Sequence, residues 1–190
     1  MHQTVKCASV GSVGDLGHIA RALGAAGYNI DAIGGAEAGT LRDDGRGVGI
    51  ISLLVDPDEE TDLPQIREVL EAVELDNGRK LSEVEILPSL HVELRNAAGE
   101  LGEAAASIGG AGINIMSVLL VDTHGDWAVV SFAFNEGDVD AARDVFDGSG
   151  GRFRVLPRHG GEARRNRVDR LIEGRVKRGD DDQGGGPQPV

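Results

Sequence analysis

The spacing of apolar and polar residues along the first half of the chain predicts alternating strands and helices. Residues Thr4 to Val10 alternate between the two classes, which is the period of a half-buried strand. The stretch from Gly14 to Gly27 then places apolar residues at helical spacing before a glycine stop, and these are Leu16, Ile19, Ala20 and Leu23. The chain therefore opens with a strand followed by a helix.

A strand hairpin, a second helix and a last strand complete this first pattern. Asn29 to Ala38 leads through a turn-forming RDDG segment into Gly47 to Val55, and both flanks suit strands. An acidic DPDEETD turn precedes apolar residues at helical spacing, namely Leu63, Ile66, Val69, Leu70 and Val73. Lys80 to Leu87 alternates again and predicts a fourth strand. The predicted order is βαββαβ.

The first helix and its flanks recur later in the chain without a gap. GDLGHIARALGAAGYNIDAI, from Gly14 to Ile33, reappears as GELGEAAASIGGAGINIMSV, from Gly99 to Val118. A repeat of about 85 residues is too long for a solenoid unit of roughly 20–50 residues, and each copy is long enough to be a small domain. The chain is therefore predicted to hold two versions of one module.

The second copy repeats the element order of the first. Its predicted elements are a strand over Leu90 to Asn96, a helix over Glu100 to Gly110, strands over Asn114 to Asp122 and Trp127 to Phe134, a helix over Val139 to Phe146, and a strand over Arg152 to Leu156. We predict an α+β protein of two ferredoxin-like sandwiches in tandem, each an antiparallel sheet with its helices on one face. The expected domains span residues 1–87 and 88–157, and Pro88 and Ser89 separate their strands.

The last 33 residues, 158–190, differ in composition from the rest. They are rich in Gly, Asp and Pro, and they predict a disordered tail, with a short docking helix around Leu171 as the alternative. This tail carries eight basic and six acidic side chains, so the chain's net charge of −13 arises from the preceding residues, which carry about −15. The negative charge of residues 1–157 repels phosphate backbones and therefore disfavours a nucleic-acid partner.

Several features bear on location and chemistry. No run of about 18 apolar residues and no charged-then-apolar leader is visible, so we expect a cytoplasmic protein with no membrane partner. The single cysteine, Cys7, alternates within the first strand and is predicted to be a small buried apolar residue. No nucleophile triad, phosphate loop or metal-ligand spacing occurs, and the five histidines are scattered. We therefore predict no catalytic residue, no metal, no cofactor and no enzymatic activity.

Both copies share a glycine-bearing loop that leads into a helix and an asparagine after that helix. The first set is Gly14, Asp15, Leu16 and Asn29, and the second is Gly99, Glu100, Leu101 and Asn114. A glycine at the turn opens the helix N–H groups to a carboxylate, and the side-chain oxygens suit an ammonium group. The same residues also suit a purely structural role in the turn, at the helix start and before the strand.

The paired motif, Gly-acid-Leu followed by small residues at helical spacing and Gly-any-Asn-Ile, resembles the signature of the ACT domain. The resemblance covers nearly all of residues 4 to 157. It implies a ferredoxin-like fold and a small ligand, most often an amino acid, bound between two modules near the loop before the first helix. Carried onto this chain, it adds Ile30 and Ile115 to the candidate ligand-binding residues.

Three functions remain open at this point. The first is a regulatory protein that binds an amino acid or related metabolite, forms a homodimer and modulates a metabolic enzyme. The second is a regulatory subunit that acts by protein docking, through the tail segment Arg164 to Arg178, without a ligand of its own. The third is an RNA-recognition module, which needs exposed aromatics on one sheet face, whereas Trp127, Phe132 and Phe134 do not share a face.

Overall fold

The computed structural model describes residues 2–10, 14–40, 47–55, 62–75 and 78–157. The predicted turns at 42–45 and 56–61 and the predicted tail over 158–190 lie outside these residues. In chain order the elements are β1 (His2–Val10), α1 (Asp15–Ala25), β2 (Ile30–Thr40), β3 (Gly47–Val55), α2 (Asp62–Glu71), β4 (Glu74–Leu75), β5 (Arg79–Lys80), β6 (Glu83–Arg95), α3 (Glu100–Gly110), β7 (Ser117–His124), β8 (Trp127–Ala133), α4 (Val139–Asp147) and β9 (Arg154–Val155).

The large strands form one antiparallel sheet. Their order is β2-β3-β1-β6-β8-β7, with β9 paired to β6 as well, while β4 and β5 make a separate two-stranded ribbon. Each copy thereby has the strand order of a ferredoxin-like fold, since β6 serves as the last strand of the first copy and the first strand of the second. The predicted α+β class and the βαββαβ order of both copies are confirmed.

The expected break at Pro88 and Ser89 is wrong, because β6 runs through both residues. The first half of β6 pairs with β1 and the second half with β8, and Ser89 pairs with both. Proline is tolerated within a strand only where no ladder hydrogen bond is lost. Pro88 pairs with Gln3 of β1, and its carbonyl accepts a bond from Phe134 N at 3.0 Å, so on the β8 side the proline lies just past the end of the regular ladder.

Two hydrophobic clusters lie between the sheet and its helices. One packs α1 and α2 on the first copy and includes Ile19, Leu23 and Leu70; the other packs α3 and α4 on the second and includes Ile108 and Phe146. Leu23 and Ile108 hold equivalent places in the repeat, and both are fully buried. Burial of apolar surface in these two clusters is the main favourable term in folding.

The opposite face of the sheet is covered by the sheet itself. Strand β7, at one edge, approaches β2 and β3 at the other, and a β-carbon added to Gly34 would lie 2.8 Å from Leu119 Cδ2. Leu54 and Leu119, both on the face without helices, are buried by this approach. The glycine at position 34 therefore gives the two halves of the sheet room to meet. Among the described residues, no helix has the length and apolar character needed to cross a membrane.

Candidate ligand-binding site

The first helix of each copy begins at a glycine in the left-handed conformation. Gly14 has φ 100° and Gly99 has φ 91°, values that a residue with a β-carbon adopts only under strain. Each glycine carbonyl accepts the first helical bond, from His18 N at 3.1 Å and from Glu103 N at 3.0 Å. The predicted turn glycines are thus required by backbone geometry, and the first N–H groups of each helix point outward without intrahelical partners.

The acidic residue after each glycine is held by an arginine of its own copy. The Arg79 guanidinium donates from Nη2 to Asp15 Oδ1 at 3.4 Å, and the Asp15 side chain is almost fully buried. Glu100 accepts two bonds from Arg152, each 3.1 Å long, in a bidentate pair. The Arg152 hydrogen bond lowers the pKa of Glu100, so the carboxyl is ionised at neutral pH. Each carboxylate therefore already has a cation beside it.

The two arginines were not among the predicted site residues. Each lies just before the last strand of its copy, Arg79 in β5 and Arg152 ahead of β9, and reaches back to the start of the first helix. They stand 64 and 52 residues from their partners, a separation at which sequence spacing carries no signal. The one shared cue is a basic residue before the final strand of both copies.

The two asparagines lie at the other end of their helices. Asn29 follows α1 and donates to Asp31 Oδ1 at 2.8 Å, while Asn114 follows α3 and approaches Met116 Sδ at 3.4 Å. Each helix has 11 residues, which separates its ends by about 16 Å. One amino-acid ligand cannot span that distance, so within a copy the structure does not bring the glycine and the asparagine together. Both asparagine side chains are exposed.

The apolar members of the predicted site divide into partly buried and exposed residues. Ile30 and Ile115 pack against the cores of their copies. Leu16 and Leu101, in the first turns of α1 and α3, are 44% and 47% exposed. Ile33 and Val118, which are also equivalent in the repeat, are 50% and 40% exposed. Both copies thus expose the same two apolar positions, one at a helix start and one on an edge strand.

The same edge strands differ at one further position. Leu120 on β7 is 61% exposed, whereas its equivalent on β2 is Gly35. Single exposed apolar side chains are ordinary, but a contiguous group marks an interaction surface. The second copy therefore exposes three large apolar residues, Leu101 at the start of α3 and Val118 and Leu120 on β7, against two in the first copy. We refer to these three residues as the β7 edge patch.

Two grooves of the described surface lie away from all of these residues. The larger, with a volume of about 790 Å³, lies where the two copies join, between Arg67 and Glu71 of α2 and Asn135 and Glu136 ahead of α4. The smaller, about 550 Å³, lies between α1 and α2 beside His18 and Arg21. Neither groove is lined by a predicted site residue.

Other predicted roles can be checked directly. Cys7 is fully buried and burial raises the pKa of its thiol to about 12, which confirms a packing residue rather than a nucleophile.

Phe132 and Phe134 lie in the core beneath the helices, while Trp127 lies on the other sheet face under the Arg95 guanidinium, 5.1 Å from the ring centre. The expectation that these aromatics do not share a face is confirmed.

The sequence matches no protein-family model and no curated protein. Solved structures do match the fold. Protein BT0572 from Bacteroides thetaiotaomicron is 16% identical with a TM-score of 0.53, over 80% of this chain and 91% of that one. The ligand-free regulatory subunit of aspartate kinase from Thermus thermophilus is 14% identical with a TM-score of 0.51, over 76% and 89%. The structure of aspartokinase alpha and beta subunits is 16% identical with a TM-score of 0.52, over 76% of this chain and 88% of that one.

The chain has the fold of a tandem ACT-domain protein. The ferredoxin-like fold implied by the two glycine-acid-leucine motifs is therefore confirmed. At such low identity the likeness concerns the fold alone, and the tandem ACT fold by itself does not define a ligand or a partner.

Proposed function

We propose that this tandem ACT protein is a non-catalytic regulator that binds an amino acid or related small metabolite and transmits its occupancy to a metabolic enzyme in the cytoplasm. In this proposal residues 1–87 and 88–157 are the two modules, and the site lies at an interface between modules. The observation that carries the proposal is the repeat-equivalent exposure of apolar residues beside a glycine-started helix. A regulatory subunit of aspartate kinase shares the fold, which agrees with such a role.

The chemistry of the helix starts suits the carboxylate of an amino acid. The Glu100 N–H donates to the Ala97 carbonyl at 3.3 Å, but the next N–H groups of α3 and the partial positive charge of a helix N-terminus favour an anion. Glu100 does not repel it strongly, since its charge is paired with Arg152. The ammonium group then needs an oxygen acceptor, and the exposed Asn114 amide provides one.

A second copy of the chain would bring these two halves of a site together. Within one copy Gly99 and Asn114 are separated by the length of α3, about 16 Å. Strand β7 is an edge of the sheet with unpaired backbone groups and the exposed β7 edge patch. Joining two β7 edges around a twofold axis would bury this patch and place each helix start near the partner's asparagine. We propose a homodimer formed in this way.

Regulation then follows from differential binding. A ligand that bridges two modules stabilises the arrangement in which both halves of its site are in place. An enzyme that contacts only one arrangement would respond to that shift by the same coupling free energy.

A thermal-shift screen against the common amino acids tests ligand binding. At a concentration 100 times its Kd, a ligand bound only by the folded state adds about 2.7 kcal/mol, which corresponds to roughly 5–10 °C in Tm for a chain of this size. Asn114→Ala is expected to abolish the shift and Asn135→Ala, an exposed amide outside the site, to preserve it. Absence of a shift with every amino acid would favour the alternative function, a docking subunit without its own ligand.

Light scattering of matched edge variants tests the dimer. Val118→Lys places a charge in the β7 edge patch and is expected to give a monomer. Ile33→Lys makes the same change at the equivalent position of β2 and is expected to leave the dimer intact. A Val118→Lys protein that remains dimeric would place the interface elsewhere.

A further inference from the structure

Three hydroxyl groups are buried where the two halves of the sheet meet. Thr4, Ser89 and Ser131 are each 1% exposed. Their side-chain oxygens have no hydrogen-bond partner within the described residues. Buried polar atoms in folded proteins almost always have a partner, so three unpartnered hydroxyls in one region point to a missing hydrogen-bonding species.

The strand register places the three hydroxyls in one diagonal line. Ser89, at the middle of β6, pairs with His2 on β1 and with Ala133 on β8. Thr4 lies two residues after His2 on β1, and Ser131 lies two residues before Ala133 on β8. Both are on the same sheet face as Ser89, one on each side of it along the strand direction. Such diagonal neighbours on adjacent strands are about 7–8 Å apart at their α-carbons. One molecule that donates and accepts at about 2.8 Å can bridge hydroxyls at this spacing.

The leucines that cover these hydroxyls carry no hydrogen-bonding group, and His91, which pairs with Ser131 in the strand register, makes no hydrogen bond to the Ser131 hydroxyl. Leu54 is fully buried and Leu119 is 5% exposed on the covered face. Charged side chains on this face are paired with one another: Lys6 with Glu85 at 2.9 Å, and Glu93 with Arg154. A neutral bridging species therefore fits better than an ion, because a charge would be buried without a counter-ion.

We propose that Thr4, Ser89 and Ser131 bind internal water molecules between the two halves of the sheet. Water has the required size and both donates and accepts, and buried waters of this kind make two to four bonds to polar groups that lack other partners. The contact between the two ACT modules is then a hydrated one on this face. Water can rearrange its bonds, so the modules can change their separation slightly while these hydroxyls stay satisfied. This inference does not depend on the proposed ligand or dimer.

The decisive measurement is the nuclear Overhauser effect between the Thr4 methyl group and water in the full-length protein. A bound internal water gives a contact with the sign of a slowly tumbling molecule, and this is the expected result. The exposed Thr123 methyl is the matched control and is expected to show the weak effect of surface water. If Thr4 shows no contact with slowly tumbling water, the proposal is overturned.

A near-isosteric pair of variants gives an independent readout. If Thr4 holds water, Thr4→Val removes a satisfied hydroxyl and leaves the water short of a partner, so Tm is expected to fall by about 2–4 °C. If the hydroxyl is dry, the same change removes an unsatisfied group and Tm rises, which would also overturn the proposal. Thr123→Val, at an exposed position, is expected to shift Tm by less than about 1 °C.

Discussion

At the scale of single residues, the two acid-arginine pairs are the clearest shared feature of the modules. Asp15 with Arg79 and Glu100 with Arg152 each connect the start of the first helix to the segment before the last strand. The acids are visible in the repeated motif. Their partners are not visible, because an ion pair across 52 or 64 residues depends on how distant elements pack.

Breaking one pair should change the titration of its acid. The Arg152 hydrogen bond lowers the pKa of Glu100 from 4.5, so Arg152→Met is expected to return that pKa toward 4.5. Because the pKa of Glu100 is lower in the folded than in the unfolded state, the pair stabilises the protein at pH values above the unfolded-state pKa. This contribution is lost as pH falls through the folded pKa, below about 4.5. Carbon-13 NMR titration of the Glu100 carboxyl measures it.

The control for this titration is Arg67→Met, which removes an arginine that contacts Glu71 and the Val84 carbonyl instead. It is expected to leave the Glu100 titration unchanged. An unchanged pKa in Arg152→Met would show that the bidentate pair does not persist in solution.

At the scale of elements, the helix starts are determined by local chemistry. Glycine at positions 14 and 99 permits the left-handed turn, and apolar spacing then sets the helix that follows. Strand β6 is different. Pro88 locally favours a break, but continuous pairing with β1 and then β8 outweighs that preference. Helix boundaries were therefore closer to prediction than the strand that joins the modules.

Two glycines of the same helix separate turn geometry from helix propensity. Gly99→Ala puts a β-carbon at φ 91° and is expected to lower the free energy of unfolding by about 1–2 kcal/mol. Gly102→Ala lies inside α3, where an added β-carbon meets nothing within 4 Å, and is expected to raise it by up to about 1 kcal/mol. Urea unfolding of both variants measures the difference. Equal effects from the two substitutions would contradict the role of the left-handed turn.

At the scale of the whole molecule, one strand belongs to both modules. The two cores are separate, yet β6 contributes Ile86 to the first and Leu90 to the second. The buried contact between the two sheet halves adds a second connection. Loss of either module would expose surface of the other, so we expect residues 2–157 to unfold together.

Equivalent core substitutions test this cooperativity. Leu23→Ala and Ile108→Ala each leave a cavity in one core and are expected to cost about 2–5 kcal/mol. Each variant should unfold in a single calorimetric transition with a lower Tm, and the calorimetric and van't Hoff enthalpies of that transition should agree. Ile33→Ala, at a half-exposed position outside the β7 edge patch, is the control and should change the transition little. Two separate transitions in either core variant would show that the modules unfold independently.

The sequence by itself determined the repeat, the βαββαβ order, the glycine-started helices and the buried cysteine. These features follow from apolar periodicity and turn chemistry, which act over a few neighbouring residues. Only the tertiary structure decided that β6 is shared, that the helix-start acids are paired with Arg79 and Arg152, and that Thr4, Ser89 and Ser131 lie buried on one face. These arrangements depend on which distant surfaces pack together, and packing of that kind is set by the summed burial and pairing of the whole chain.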